Sequence, residues 1–434
     1  MNRMTKIKPQ SEPQSEPQSQ MLATEIQKQF LGHNTQERSE QSDLRVVLYS
    51  HDTMGMGHMR RNMLIASTIK QQFPNASVLT LAGAKEACDF ARSAGVDCLT
   101  LPSFHKNSDG TYTSRSLGIP SRDVLDLRRQ TILAAMKSYQ PNLFIADKLP
   151  AGAGGELLPS LDWLSNHTSC RCVLGLRDIL DSPEKVIADW RSSHSFAIIR
   201  KYFQSIWIYG DRKVYDSVSE YEFPSDVAAR VRFTGYLDTR SRLQSKPACK
   251  SSNEPPFVLC TVGGGQDGEV LPLNFVEAMR ASARPSKLLT GPNMPASTRL
   301  QIHASAKSVP GLDVIEFVSE GDFLVKNASH VVSMGGYNTL AAILSYQKPA
   351  LIVPRVSPRQ EQAIRANRLA ELGYVQTIHP DELSSEAIVD WLDGPSSPPP
   401  WSDNSVDMQG LHRVCEAIHA DFPKSEFCNS GVEV

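Results

Sequence analysis

From Leu44 onward, short apolar runs rich in β-branched residues alternate with stretches whose apolar positions recur every three or four residues. The runs are LRVVLYS (44–50), SVLTLAG (77–83), DCLTLP (97–102), NLFIAD (142–147), RCVLGLRD (171–178), SIWIYG (205–210) and VRFTGYL (231–237). They are continuous rather than strictly alternating, which predicts strands of a parallel sheet covered on both faces. The stretch after the first run places Met59, Met63, Ala66, Ile69 and Phe73 along one side of a helix. The pattern breaks at SRLQSKPACKSSNEPP (241–256), a polar, proline-bearing segment that reads as a linker. It starts afresh with FVLCTVGGG (257–265), SKLLTG (286–291), LDVIEFV (312–318), HVVSMGG (330–336), PALIVPR (349–355) and YVQTI (374–378). After the proline run GPSSPPPW (394–401), a final helix is expected at about 404–421, followed by a tail. The expected fold class is therefore α/β: two successive βαβ domains, 43–240 and 257–400, with 401–434 as a C-terminal addition. A ligand of such a pair binds in the cleft between them, at the carboxyl ends of both sheets.

Residues 1–42 lack the pattern. This Ser/Glu/Pro/Gln tail, with the short repeat SEPQSEPQSQ, cannot bury enough apolar surface to offset the entropy of ordering, so disorder is expected, with a short helix near 21–30 as an option. The 434 residues hold 45 basic and 47 acidic side chains, a balance that predicts no nucleic-acid partner. Eight cysteines are scattered without a CxxC pair, which favours structural thiols in a reducing cytosol over metal or disulfide use. The N-terminal stretch has no apolar signal core, and no apolar run approaches the ~20 residues that span a bilayer. A cytoplasmic protein is expected, with peripheral contact at the inner face of a membrane left open.

Three glycine-bearing loops carry the candidate chemistry. In SHDTMGMGHMRRN (50–62), Gly55 and Gly57 allow tight turning and close backbone approach. The third glycine of a GxGxxG dinucleotide fingerprint would fall at Arg60, so that motif is incomplete. His58, Arg60 and Arg61 sit where the helix begins, beside the positive end of its dipole, where cations are unfavourable unless an anion compensates. That placement predicts an anionic ligand nearby. His51, Asp52 and His58 match no common metal-site spacing, so no metal is expected. The second loop, CTVGGGQDGEVL (260–271), offers the bare N–H groups of Gly263, Gly264 and Gly265 for phosphate or ribose contact. In the third, Gly335 and Gly336 end a strand, and Asn338 and Thr339 open a helix whose N–H groups suit a diphosphate. The next strand ends in PRVSPRQEQ, which brings Arg355, Arg359, Gln360, Glu361 and Gln362 to the same edge. Arginine suits phosphate there, and the amides and carboxylate suit hydroxyls.

These residues resemble the GT-B glycosyltransferases of family 28. The likeness is best over about 257–380, where SMGGYNTLAAILSYQKPALIVPR followed by RQEQ is similar to that family's nucleotide-sugar block. It is looser over 44–240, where it rests on GMGH after the first strand. A group of predicted glycosyltransferases with D-K-x-P-x-G after a strand (Asp147, Lys148, Pro150, Gly152) is more similar still. The resemblance implies two Rossmann-like domains, a C-terminal one for a nucleotide-diphospho-sugar (UDP preferred) and an N-terminal one for an acceptor hydroxyl. It also implies hexosyl transfer without metal or other cofactor, in glycan or glycolipid synthesis. One departure is Ala342, where the family carries an acidic residue that binds ribose hydroxyls; Glu361 is the candidate replacement.

On this reading Gly335, Gly336, Asn338 and Thr339 hold the diphosphate, and Gly263 to Gly265 contact the donor. Arg355, Gln360, Glu361 and Gln362 complete the donor site, while Gly55, Gly57, Arg60 and Arg61 lie on the acceptor side. The general base is His58, whose unperturbed pKa lies near neutrality, with Asp147 as second candidate and Asp178 as third. The stretch 103–122 is expected to be a long connection whose Lys106, Arg115 and Arg122 suit an acceptor phosphate, an anionic membrane surface or solvent. Alternatives of the same architecture are a nucleotide-sugar epimerase and a non-catalytic sugar-nucleotide sensor. A nicotinamide enzyme is disfavoured by the missing glycine and by the lack of an acidic ribose ligand in KQQFPNAS.

Overall fold

The computed structural model describes residues 44–51, 57–84, 86–106, 112–241, 255–265, 268–318, 320–395 and 405–422. The polar tail with its optional helix, most of the linker, and Gly55 lie outside these. Among the described residues, nine strands belong to the first half: β1 (Arg45–Ser50), β2 (Ser77–Ala82), β3 (Asp97–Thr100), β4 (Phe104–Lys106), β5 (Tyr112–Ser114), β6 (Leu143–Asp147), β7 (Arg171–Arg177), β8 (Ser205–Tyr209) and β9 (Val231–Phe233). Six follow in the second: β10 (Phe257–Thr261), β11 (Ser286–Leu289), β12 (Leu312–Ile315), β13 (Ala328–Ser333), β14 (Ala350–Ile352) and β15 (Gln376–Thr377). The first sheet runs β3-β2-β1-β6-β7-β8-β9 and the second β12-β11-β10-β13-β14-β15, with every pairing in both parallel. In each sheet the order reverses beside the first strand, between β1 and β6 and between β10 and β13. Such a switch point leaves the strand ends open for a ligand.

The continuous apolar runs have a simple cause. Along β1, Val46 and Leu48 enter one core and Val47 and Tyr49 the other, so both faces of the strand are buried. The first of these cores does not stop at the half-way point. Through Met59, Met63 and Ile69 of the opening helix (Gly57–Gln72) it joins Leu340, Ile343 and Leu344 of the helix Tyr337–Tyr346, and Leu259 and Val331 of the second sheet. The two halves thus share one apolar core.

One element differs from expectation, and another gains a definite place. The 103–122 stretch contains an antiparallel hairpin, β4 with β5, whose Phe104 packs with Val124 and Ala153 and lies 5.1 Å beneath the Arg128 guanidinium. Strands of three residues are too short to show a period. The last helix begins at Gly410 and packs against the opening helix of the first half, with the Phe73 and His419 rings 4.4 Å apart and Arg171 paired with Asp421. The C-terminal segment therefore completes the first half rather than standing apart.

A buried ion pair crosses between the halves. Arg365, on the helix Glu361–Glu371, donates from Nε and Nη2 to both oxygens of Asp178, just after β7, at 2.7 and 2.6 Å. The two side chains are 0 and 1% exposed. Tyr236 donates its hydroxyl to the same carboxylate at 2.7 Å, and Arg365 Nη1 donates to the Gly335 carbonyl at 2.9 Å. Both oxygens of Asp178 are thereby committed.

Removing one partner of such a pair strands the other charge in an apolar site, at a cost of ~3–5 kcal/mol. Arg365→Met should lower the unfolding free energy by about that amount in urea denaturation. Adding Asp178→Asn, which keeps an acceptor for Tyr236, should recover at least half. A double variant no more stable than the single one would show that the loss is not electrostatic.

Candidate functional site

The helix-start cations find their anion within the protein. Asp147, the last residue of β6, is 1% exposed, and Arg61 Nη2 lies 2.6 Å from each of its oxygens. The Arg61 guanidinium sits over the rings of Tyr209 and Tyr337, at 5.8 and 5.5 Å. Arg60 turns to the second half, donating to the Val318 carbonyl at 3.3 Å and lying 5.3 Å from the Phe90 ring. Both arginines thus have partners within the protein: Asp147 neutralises Arg61, and Arg60 ties the opening helix to the other half.

Asp147 has a second partner. His58 Nδ1 lies 2.7 Å from Oδ2, so the two base candidates form one unit. Burial alone would raise the Asp147 carboxyl, but Arg61 and then His58 overcome it and hold the group well below the usual carboxylate range. Arg61 Nη2 also lies 3.0 Å from His58 Nδ1, so two neighbours compete for that nitrogen. The ionised carboxylate requires a donor, which assigns the hydrogen to Nδ1 and leaves the Nε2 lone pair free. Burial pushes the His58 imidazole down to about 4 against the pull of Asp147, so the ring is neutral at pH 7. The His58 side chain keeps 14% exposure. The buried ring of His51, at the end of β1, lies 4.6 Å away and is also held neutral by burial and by His58.

The glycines divide by task. Gly265 has φ +83°, and a Cβ there would collide with the Thr290 carbonyl, so its glycine is required by packing against the next loop. Gly291, which the sequence reading did not single out, has φ +84° and presses on the Gly263 and Gly264 backbone. Gly263 and Gly264 leave more room: a Cβ at Gly263 would meet nothing within 4 Å. Because Thr261 and Ser333 are register partners, the second and third loops leave adjacent strand ends. Gly335 lies so close to the 361–371 helix that a Cβ would come within 2.8 Å of the Gln362 carbonyl. Gly336 faces open space and begins the 337–346 helix with no side-chain cap. Asn338 Nδ2 donates to the Gly57 carbonyl at 3.0 Å, which joins the first loop to the third. Thr339, half-buried, follows on the same turn.

At the neighbouring edge, Arg355 Nη2 pairs with Glu361 Oε1 at 2.6 Å, and the Gln362 side-chain oxygen accepts from the Arg355 N–H at 3.1 Å. The Gln360 N–H donates to Asp181 at 2.8 Å, another link between the halves. Glu361 is buried, and its Oε2 has no hydrogen-bond partner. Ala342 lies within the shared apolar core and offers no polar group. Sequence reading missed Lys148 and Arg177 as residues of this edge; Asp147 pairs with Gly175 across β6 and β7, a juxtaposition visible only once strand order is known.

Residues 262–399 match the glycosyltransferase family 28 C-terminal domain. Comparison with curated proteins gave no match. Among solved structures, the chain is similar to the glycotransferase of kitacinnamycin (TM-score 0.58, 14% identity, covering 87% of this chain and 99% of that one). It is similar to MurG of Acinetobacter baumannii (TM-score 0.53, 12% identity, 87% and 99%). It is likewise similar to the UDP-GlcNAc 2-epimerase of Neisseria meningitidis bound to UDP-GlcNAc (TM-score 0.58, 11% identity, 87% and 99%).

His58 gives a pH signature. Its folded pKa is lowered to about 4, whereas an unfolded histidine titrates near ~6.5. Between those values the unfolded chain binds a proton that the folded one does not, so stability falls as pH falls through this window. The difference amounts to ~3 kcal/mol. His58→Gln should flatten the dependence of unfolding free energy on pH between 7 and 4 by about this much. Superimposable pH profiles of the two proteins would contradict the assignment.

Proposed function

From a chain of GT-B fold whose residues 262–399 match the glycosyltransferase family 28 C-terminal domain, we infer a hexosyltransferase acting on a nucleotide-diphospho-sugar, UDP-linked by preference. The observation that carries the reading is the uncapped helix start at Gly336, open to solvent and tied through Asn338 to the loop that presents His58. The free N–H groups of that helix start, with Thr339, bind the diphosphate, as the positive end of a helix dipole favours. Gly263 and Gly264 contact the donor from the adjoining loop. Glu361 Oε2, buried with no partner, accepts from a donor hydroxyl, which compensates for the apolar Ala342.

His58 Nε2 takes the proton of the acceptor hydroxyl as its oxygen attacks the anomeric carbon, and the bond to the diphosphate breaks with its electron pair on the leaving oxygen. Asp147 holds the imidazole in the reactive tautomer and stabilises the imidazolium that forms. The helix start stabilises the departing charge without a metal ion. No described helix is long and apolar enough to cross a membrane, and we place the reaction in the cytoplasm with a hydroxyl acceptor.

The test is product formation over a panel of nucleotide-sugar donors and hydroxyl acceptors. His58→Ala and Asp147→Asn should each lower kcat by ~10²–10⁴-fold with little change in donor KM. Near-normal rates in both would sink the base assignment. Turnover should survive EDTA; its abolition would refute the metal-free step. Conversion of the sugar nucleotide without any acceptor would favour an epimerase, and UDP binding without product a sensor. A thermal-shift screen comes first, since a ligand of the native state raises stability, and no shift with any nucleoside diphosphate or sugar nucleotide would count against the whole reading.

A further inference from the structure

We propose that Lys148 and Arg177, with Arg359 opposite them, form a second anion site, separate from the donor-diphosphate loop, for a carboxylate or phosphate carried by a substrate. The proposal rests on the glycosyltransferase reading for the identity of that substrate. Arg61 is matched by Asp147, Arg365 by Asp178 and Arg355 by Glu361. Among the described residues, Lys148, Arg177 and Arg359 form no ion pair and no side-chain hydrogen bond, although each is half-buried. The Nε of Arg177 is buried without a partner.

The positions are built by the sheet. Asp147 and Gly175 are register partners, so Lys148, just past β6, and Arg177, two residues further along β7, both lie at the carboxyl edge. Lys148 takes a left-handed backbone, φ +69°, and its N–H donates to the Gly175 carbonyl at 2.7 Å. A glycine would hold that conformation with less strain, yet lysine occupies it. Burial, then the charges of Arg177 and Arg359, push the Lys148 ammonium well below its ordinary range; burial pushes Arg177 down to about 10, with Glu361 opposing. Like charges held together at a partly dry edge destabilise the free protein and are relieved when an anion enters. Glu361 lies close to both, and its unpartnered oxygen is the acceptor assigned above to a donor hydroxyl. The anion accordingly sits beside the transferred sugar. Its source is either an acidic donor sugar or an acidic acceptor.

Thermal shift and calorimetry with inorganic phosphate, with and without saturating UDP, provide the test. Phosphate should raise the Tm of the wild-type protein further when UDP is already bound. In the Lys148→Met/Arg177→Met variant that phosphate shift should vanish, with at least ~10-fold weaker phosphate binding, while the UDP shift stays. The ligand-free variant should melt no lower than the wild type, because the stranded charges are gone; a purely structural role predicts the reverse. Arg177→Lys should keep part of the phosphate response. Phosphate that competes with UDP, or a phosphate shift that persists in the double variant or is missing in the wild type, would overturn the proposal. A phosphate shift without any nucleoside diphosphate shift would instead refute the glycosyltransferase reading and leave the anion site standing. With the site established, tighter binding of UDP-glucuronate than UDP-glucose, lost in the double variant, places the acid on the donor; equal binding places it on the acceptor.

Discussion

The ion pair between Asp178 and Arg365 sets the geometry on which the rest of the cleft depends. It is dry and bidentate, and its two members come from opposite halves of the chain. The remaining nitrogen of Arg365 fixes the Gly335 carbonyl, so the position of the third loop is decided by a carboxylate of the first sheet. Burying two charges gains little net stability, but displacing one relative to the other is costly, which is what a positional constraint requires. From this pair an aromatic relay leads to the other acidic centre. Tyr236 stacks on Tyr337 with centroids 5.8 Å apart, and the Tyr337 ring lies near both Arg365 and Arg61, at 5.8 and 5.5 Å. One tyrosine at the start of the 337–346 helix thus separates two buried arginines, each neutralised from the first half.

The same logic explains the opening loop. Basic residues at a helix N-terminus are unfavourable in isolation, and here the compensation is Asp147 rather than a ligand. That arrangement leaves His58 with its Nδ1 occupied, its ring neutral and its second nitrogen unclaimed. Unmatched positive charge is found instead one step along the edge, at Lys148 and Arg177.

Much of this was legible in the sequence, and the limits are instructive. Strands such as 45–50 and 257–261 announced themselves because both faces are buried, which leaves unbroken apolar runs. The β4–β5 hairpin did not, since its strands are three residues long, too short to show a period. His58, Arg61 and Asp147 were each recognised as chemically charged positions, but their pairing spans 86 to 89 residues and depends on β6 lying next to β1. Spacing cannot report that. The glycines of the second loop misled in part, because Gly265 answers a packing demand made by Gly291's neighbourhood rather than by a ligand.

The return of the C-terminal segment bears on how such a cleft can open. Asp407 accepts from and donates to the first half: its carbonyl binds the Tyr236 N–H at 2.7 Å, and its N–H binds Asp211 at 2.9 Å. Gly410 fits where any Cβ would come within 2.6 Å of the Gly235 and Tyr236 carbonyls. The polypeptide therefore passes between the halves twice, once in each direction. The returning segment grips Tyr236, the residue that feeds a hydroxyl to Asp178, so the chain's second crossing ends on the ion pair that positions the third loop.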